Sequence, residues 1–184
     1  FRNLGAKILG VEPAGNIADI ADKNGIPTIR DFFNSKACEE ILKKGNAKVI
    51  TITNAFNHIS DLNEFIKCVL MILRDDGFFV IEVPYFLRLL KRMHFDTIYL
   101  EHISYMSLKP LDSFFGKFGM KIAHFEENDY MSSTIRIFVG KGQRVAEIDK
   151  QINIEEKSGL FSAETYKEFS RKIRDCKLTV LKEL

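Results

Sequence analysis

Short apolar runs alternate with amphipathic stretches along most of this chain. Residues 7–11 (KILGV) form an apolar run closed by Glu12-Pro13, a pattern that predicts a strand and its end. Residues 16–24 place Ile17, Ile20 and Ala21 on one helical face, with Asn16 positioned to cap the helix and Gly25 to stop it. Residues 27–29 predict a brief strand leading to Asp31-Phe32-Phe33, and residues 35–44 a helix with Ala37, Ile41 and Leu42 inward. Residues 48–53 (KVITIT) are β-branched and strand-like. The clearest helix spans residues 61–73. Leu62, Phe65, Val69 and Ile72 keep helical spacing, and Asp61 followed by Glu64 resembles a capping box. Asp75-Asp76-Gly77 predicts a turn, residues 78–83 (FFVIEV) a strand, and residues 85–91 a helix.

Strands that alternate with helices predict an α/β fold, a doubly wound, mostly parallel sheet with helices on both faces. The strands have few polar breaks, which fits a sheet buried on both sides. After residue 105 the rhythm changes. Residues 110–118 predict a helix stopped by Gly119. Residues 121–126 and 134–139 predict two strands joined by a polar loop, residues 127–133, and paired antiparallel at a sheet edge. From Val145 onward the chain is charged and helical, broken near Ser158-Gly159; Ile173, Val180, Leu181 and Leu184 suggest an apolar stripe. Residues 1–5 resemble the end of a helix with a glycine stop, so the chain is expected to open mid-fold. Two parts are therefore expected: an α/β domain over residues 1–142 and a helical segment over residues 143–184.

Composition narrows the function classes. With 27 basic and 25 acidic residues, the net charge of +2 provides no electrostatic footprint for nucleic acid or an anionic membrane. No apolar run approaches the roughly 18 residues of a membrane span. Cys38, Cys68 and Cys176 lie singly in predicted helices and read as buried thiols, in keeping with a reduced, cytoplasmic setting. The four histidines are scattered and no cysteine lies beside them, so no metal site is expected.

The candidate chemistry sits at strand ends. Glu12 closes a strand, where ligands of α/β sheets bind, and a carboxylate there can accept hydrogen bonds from both hydroxyls of a ribose. NAD and S-adenosylmethionine both offer such a ribose, and a solvated loop Glu is the structural alternative. The Gly-rich turn that ordinarily comes about 20 residues before such a Glu would fall upstream of residue 1. Asn54 ends the KVITIT strand, where its amide can face a cofactor, and His58 lies in the following loop. Phe32 and Phe33 can stack on an adenine or pack in the core. The densest cluster is Tyr99-Leu100-Glu101-His102. An imidazole with an ordinary pKa near 6.5 can take a proton at neutral pH. Glu101 can orient that ring and the Tyr99 phenol can polarise a carbonyl, provided the segment is an irregular loop. A salt-linked surface loop is the alternative.

At these residues the sequence resembles the S-adenosylmethionine-dependent C-methyltransferases that act on nucleotide-linked keto-deoxysugars. The matching pieces are LGVEP with Asn16-Ile17-Ala18, then GIPTIRDFF, NAFNHISDL, DDGFFVIEVPY, FDTIYLEHISYMSLKPL and STIRIFV, in family order over residues 4–140. The resemblance implies a Rossmann-like class I methyltransferase fold whose last strand is antiparallel. It implies that Glu12 binds the cofactor ribose and that Asn54 lies near the methionine part. His102 would be the general base, with Tyr99 and Glu101 beside it and His58 across the pocket. Tyr85, Ser133 and Arg136 map near the sugar. The implied partner is a small nucleotide-sugar, and zinc belongs only to a region upstream of this chain.

Two departures fall near the substrate: Leu100 stands where the family has a second histidine, and Met131-Ser132-Ser133 where it has His-Gly-Gly. The first strand of the family fold would precede residue 1. That strand is central, so its flanking strands would be left with unpaired edges. The chain is therefore expected to be a fragment that binds S-adenosylmethionine poorly by itself. Methylation of oxygen or nitrogen on a small molecule, and a non-catalytic remnant of the fold, are the alternatives; an NAD-dependent dehydrogenase fits less well.

Overall fold

The computed structural model describes residues 1–129 and 133–183. The chain divides into two compact units, one of residues 1–48 with 61–74 and one of residues 49–60 with residue 75 onward.

In the first unit, β1 (Gly10–Val11) and β2 (Thr28–Ile29) pair in parallel, Gly10 opposite Thr28. Helix α1 (Gly15–Lys23) connects them, and α2 (Ser35–Leu42) packs on α3 (Leu62–Ile72). The core is small-grained: Ala18, Ala37, Cys38, Ile66, Cys68 and Val69 are buried. Capping follows the side-chain chemistry. Asn34 accepts the Ala37 N–H at 2.9 Å to start α2, and Asp61 accepts the Glu64 N–H at 3.0 Å to start α3. Asn16 does not cap α1; that place belongs to Ala14, whose N–H donates to Glu12 Oε1 at 2.8 Å. Arg30 binds Asp19 at 2.5 Å and Asp22 at 2.8 Å, tying the end of β2 to α1. The Cys38 thiol lies 3.6 Å from the Cys68 carbonyl oxygen, and burial pushes its pKa up to about 12, so it packs as an inert thiol. Cys176 departs from the buried-thiol expectation: it is exposed.

The second unit is built on a sheet in the order β3 (Ala47–Thr53), β4 (Leu73–Pro84), β6 (Thr134–Gly140), β5 (Lys121–Asn128). β6 runs antiparallel to both neighbours, with Arg136 opposite Glu82 on β4 and Glu126 on β5. Its Ile135, Ile137 and Val139 are fully buried. The core is aromatic: the Phe56 ring lies 5.8 Å from Phe79 and 6.4 Å from Phe115. Helix α4 (Phe86–Arg92) follows β4, and α5 (Leu108–Gly116) leads to β5.

One expectation changes. The turn at Asp75-Asp76-Gly77 is absent, because β4 runs through those residues directly from α3. The described strands form two sheets, β1 with β2 and β3-β4-β6-β5, with β1 parallel to β2 and β6 antiparallel to β4 and β5. β1 and β3, the strands expected to flank an absent one, each stand at the end of a separate sheet. The second unit runs on past residue 142. Helix α6 (Ala146–Lys157) buries Ile148 and Glu155 in the second unit, and Leu160 follows it inward. Helix α7 (Ala163–Glu183) has no fully buried residue, with Val180 and Leu181 exposed on it, while Leu184 lies outside the described residues. No helix among the described residues is long and apolar enough to cross a membrane.

Candidate active site

The Tyr99-to-His102 cluster lies in the irregular loop between α4 and α5, as its chemistry requires. A short helical turn at Phe95–Thr97 turns the loop back, fixed by the Thr97 hydroxyl donating to the His94 carbonyl at 2.8 Å. That turn places the Thr97 carbonyl 2.8 Å from His102 Nδ1. A carbonyl oxygen can only accept, so Nδ1 carries the proton. In the neutral ring Nε2 is then the lone pair, and Tyr99 Oη lies 2.8 Å from it and donates. The Tyr99 ring packs 4.1 Å from the imidazole, which leaves His102 half-buried while Tyr99 is exposed.

His58 reaches the same place from the turn after β3. Its Nδ1 lies 2.7 Å from the Glu101 carbonyl oxygen, so by the same argument Nδ1 is the donor and Nε2 the lone pair. The two imidazoles are 5.0 Å apart. The loop is further joined to this turn by Ser104 N–H donating to the Asn57 carbonyl at 3.2 Å. Thus the second unit brings together Tyr99, His102 and His58. Glu101 joins through its backbone: its carbonyl holds His58, and the orienting group for His102 is the Thr97 carbonyl rather than the expected Glu101 carboxylate. Leu100 is 95% exposed, so it makes no part of the core of this arrangement.

Other candidates have different surroundings. Asn54 holds a left-handed backbone, φ 50°, at the end of β3, and its N–H donates to the Glu82 carbonyl at 2.7 Å. Asn tolerates that conformation better than most residues. Ser133, at φ 84°, is buried before β6; its hydroxyl lies 3.3 Å from Asp129 Oδ1. Met131 and Ser132 lie outside the described residues. The Arg136 guanidinium binds Glu82 at 2.6 Å and Glu126 at 3.2 Å, and Glu82 above all raises its pKa. Tyr85, mapped near the sugar by the resemblance, is fully buried, and its phenol donates to Glu155 Oε1 at 2.8 Å. Burial raises its pKa well above the ordinary tyrosine range.

In the first unit, Glu12 is half-buried at the end of β1, its carboxylate oriented by the Ala14 N–H at 2.8 Å. Phe32 is 71% exposed and presents its ring to solvent, whereas Phe33 is half-buried and packs 4.7 Å from Phe65 on α3. A carboxylate at a strand end and an exposed aromatic face suit a ribose and an adenine. Among the described residues, no three His, Cys, Asp or Glu side chains converge as metal ligands.

Two residues escaped the sequence reading. Thr97 acts through a backbone carbonyl, which side-chain chemistry does not advertise. Asn57, beside His58, is buried with its Oδ1 lacking a hydrogen-bond partner among the described residues, a costly state that a bare NAFNH motif does not announce.

Comparison with known proteins places these groups in context. Residues 1–124 match the family described as a methyltransferase domain. The C-methyltransferase NovU of Streptomyces niveus is 35% identical over 175 residues; the match covers 92% of this chain and 42% of that protein, so the chain spans about two fifths of its curated relative. Among solved structures, a SAM-dependent methyltransferase from Thermotoga maritima aligns with a TM-score of 0.56 at 16% identity, covering 73% of each chain. The plantazolicin methyltransferase BpumL, solved in complex with a desmethylPZN analog and SAH, aligns with a TM-score of 0.54 at 12% identity, covering 77% of this chain and 70% of that one. At these identities the structural likeness is one of fold, the Rossmann-like α/β fold of class I methyltransferases.

Proposed function

The chain belongs to the methyltransferase-domain family, and on that premise we propose that it carries the acceptor chemistry for moving a methyl group from S-adenosylmethionine to a carbon next to a ketone in a nucleotide-linked deoxysugar. The observation that carries this reading is the fixed tautomer of His102: Nδ1–H donates to the Thr97 carbonyl, so the basic lone pair is Nε2.

A carbon beside a ketone is acidic enough to lose a proton to a positioned base. In this reading His102 Nε2 takes that proton, and the electron pair of the C–H bond passes into the ketone to form an enolate. The Tyr99 phenol, which rests on Nε2, turns its O–H to the enolate oxygen as substrate arrives. His58, with Nδ1 fixed on the Glu101 carbonyl, presents a second lone pair for a substrate hydroxyl. The cofactor supplies an electrophilic methyl group for the enolate carbon. Glu12 would hold its ribose and the exposed Phe32 ring its adenine, with Asn54 toward the methionine part. Phe33, packed on Phe65, supports that segment from within. Ser133 and Arg136, held by Asp129 and Glu82, would reach the sugar, and the buried Tyr85 would support that side from within.

Carbon as acceptor is supported by the 35% identity to a C-methyltransferase. The test is transfer from S-adenosylmethionine with a 13C-labelled methyl to a nucleotide-linked 4-keto-deoxysugar, read by NMR. A new C–CH3 signal that vanishes with His102→Gln is the expected result. A label on oxygen or nitrogen would move the chain to the other acceptor class.

A further inference from the structure

A second polar cluster, buried and assembled from distant parts of the chain, joins residues on either side of the segment that carries His102. Glu155 on α6 is fully buried, an expensive place for a carboxylate unless donors surround it. Three do. Tyr85 Oη donates to Oε1 at 2.8 Å, the Leu108 N–H to Oε1 at 2.7 Å, and the Lys109 N–H to Oε2 at 3.0 Å. Gln151, one turn earlier on α6, donates to Tyr85 Oη at 3.0 Å and to Glu127 Oε1 at 3.2 Å.

The places of these donors matter. Leu108 and Lys109 are the first two residues of α5, whose N-cap, Ser107, makes no side-chain cap of its own. Glu155 supplies the missing cap, and its charge meets the positive end of the helix. Tyr85 is the residue before α4, and Phe86 N–H donates to the Met106 carbonyl at 2.9 Å. The segment of residues 86–107, α4 and the loop that follows it, therefore starts and ends at two points that one carboxylate joins.

We propose that Glu155 is a positioning residue: from α6 it pins both flanks of the loop that presents Tyr99 and His102. This rests on the reading of that loop as the catalytic one, but the anchoring itself is testable without substrate. In Glu155→Gln, an amide N–H replaces an oxygen that now accepts from the backbone, so one flank loses its acceptor. Tyr85→Phe removes the other flank's bond and the acceptor of one Gln151 bond, and leaves both backbone donors on Glu155. Ile148→Ala, also fully buried on α6, removes packing without touching the polar cluster.

Hydrogen exchange read by mass spectrometry on the unliganded protein separates these cases. The expected result is that Glu155→Gln speeds exchange over residues 97–109 by about tenfold more than in β4 and β6, and that Tyr85→Phe does so to a lesser degree. The 15N signature of the His102 Nδ1–H tautomer should weaken in step. Ile148→Ala should speed all segments together. Uniform acceleration in Glu155→Gln and Tyr85→Phe, or an unchanged loop and tautomer, would overturn the proposal. Should Glu155→Gln not fold, Tyr85→Phe alone decides between these outcomes. Loss of the proposed methyl transfer with the exchange pattern as expected would instead count against the activity and leave the anchor standing.

Discussion

The second unit holds two clusters made of nearly the same groups. One is Tyr99, Glu101 and His102; the other is Tyr85, Glu155 and Gln151. The first spans four consecutive residues, lies in an irregular loop and leaves Tyr99 exposed. The second joins residues 66 and 70 positions apart and is shut away from solvent. A tyrosine hydroxyl within hydrogen-bond reach of a basic or acidic partner occurs in both, yet only in the first can a small molecule reach it. What separates the proposed reacting group from the structural one here is access and the identity of the orienting atom, not residue type. Backbone carbonyls fix the imidazole of His102 and that of His58 beside it, whereas backbone N–H groups fix the carboxylate of Glu155.

That contrast can be broken by exchange of effects between the clusters. The largest expected effect is on turnover: His102→Gln should cut methyl transfer by about 10²–10⁴, the usual range for a general base, while the melting temperature stays near wild type. Next comes Glu155→Ala. It strands a buried phenol and two helix N–H groups, and should cost about 3 kcal/mol of stability in urea unfolding, whereas Glu101→Ala in the exposed cluster should change it by less than about 0.5 kcal/mol. Tyr85→Phe should cost about 1 kcal/mol near neutral pH. It also carries a pH signature. Burial raises the Tyr85 pKa, so the folded state keeps the proton that the unfolded chain loses. Stability from this group is present below the ordinary tyrosine value near 10 and falls as pH rises above it, and Tyr85→Phe should flatten that fall in pH-dependent melting. Smallest is Leu100→His. The side chain lies in solvent, so stability should move by less than about 0.5 kcal/mol, and any change should fall on substrate preference in competition assays.

The legible parts of the sequence were those written locally. The Asp61 cap and the spacing of α3, the β-branched β3, the β5 and β6 pair and the break after α6 all depend on neighbours within a few residues, and all stand in the structure. Asp75-Asp76-Gly77 misled because its turn propensity yields to β4, whose Gly77 backbone lies against β6 at Gly140. Glu155 was illegible because its partners lie 46 or more positions away, and in sequence it is one charged residue on a charged helix. The Tyr99 cluster was legible as chemistry, but its geometry was not: Thr97 orients His102 through an atom every residue possesses. Tyr85 sat in a recognisable EVPY segment, yet its burial depends on α6.

The measurement that bears most directly on the central claim is deuterium entry from D2O into the carbon next to the ketone of a nucleotide-linked keto-deoxysugar, with S-adenosylhomocysteine in place of the methyl donor. If His102 Nε2 is the base, the protein washes deuterium into that one carbon, and His102→Gln abolishes it while Glu101→Ala leaves it largely intact. Exchange that persists in His102→Gln, or methyl transfer with no exchange at carbon, would contradict the account.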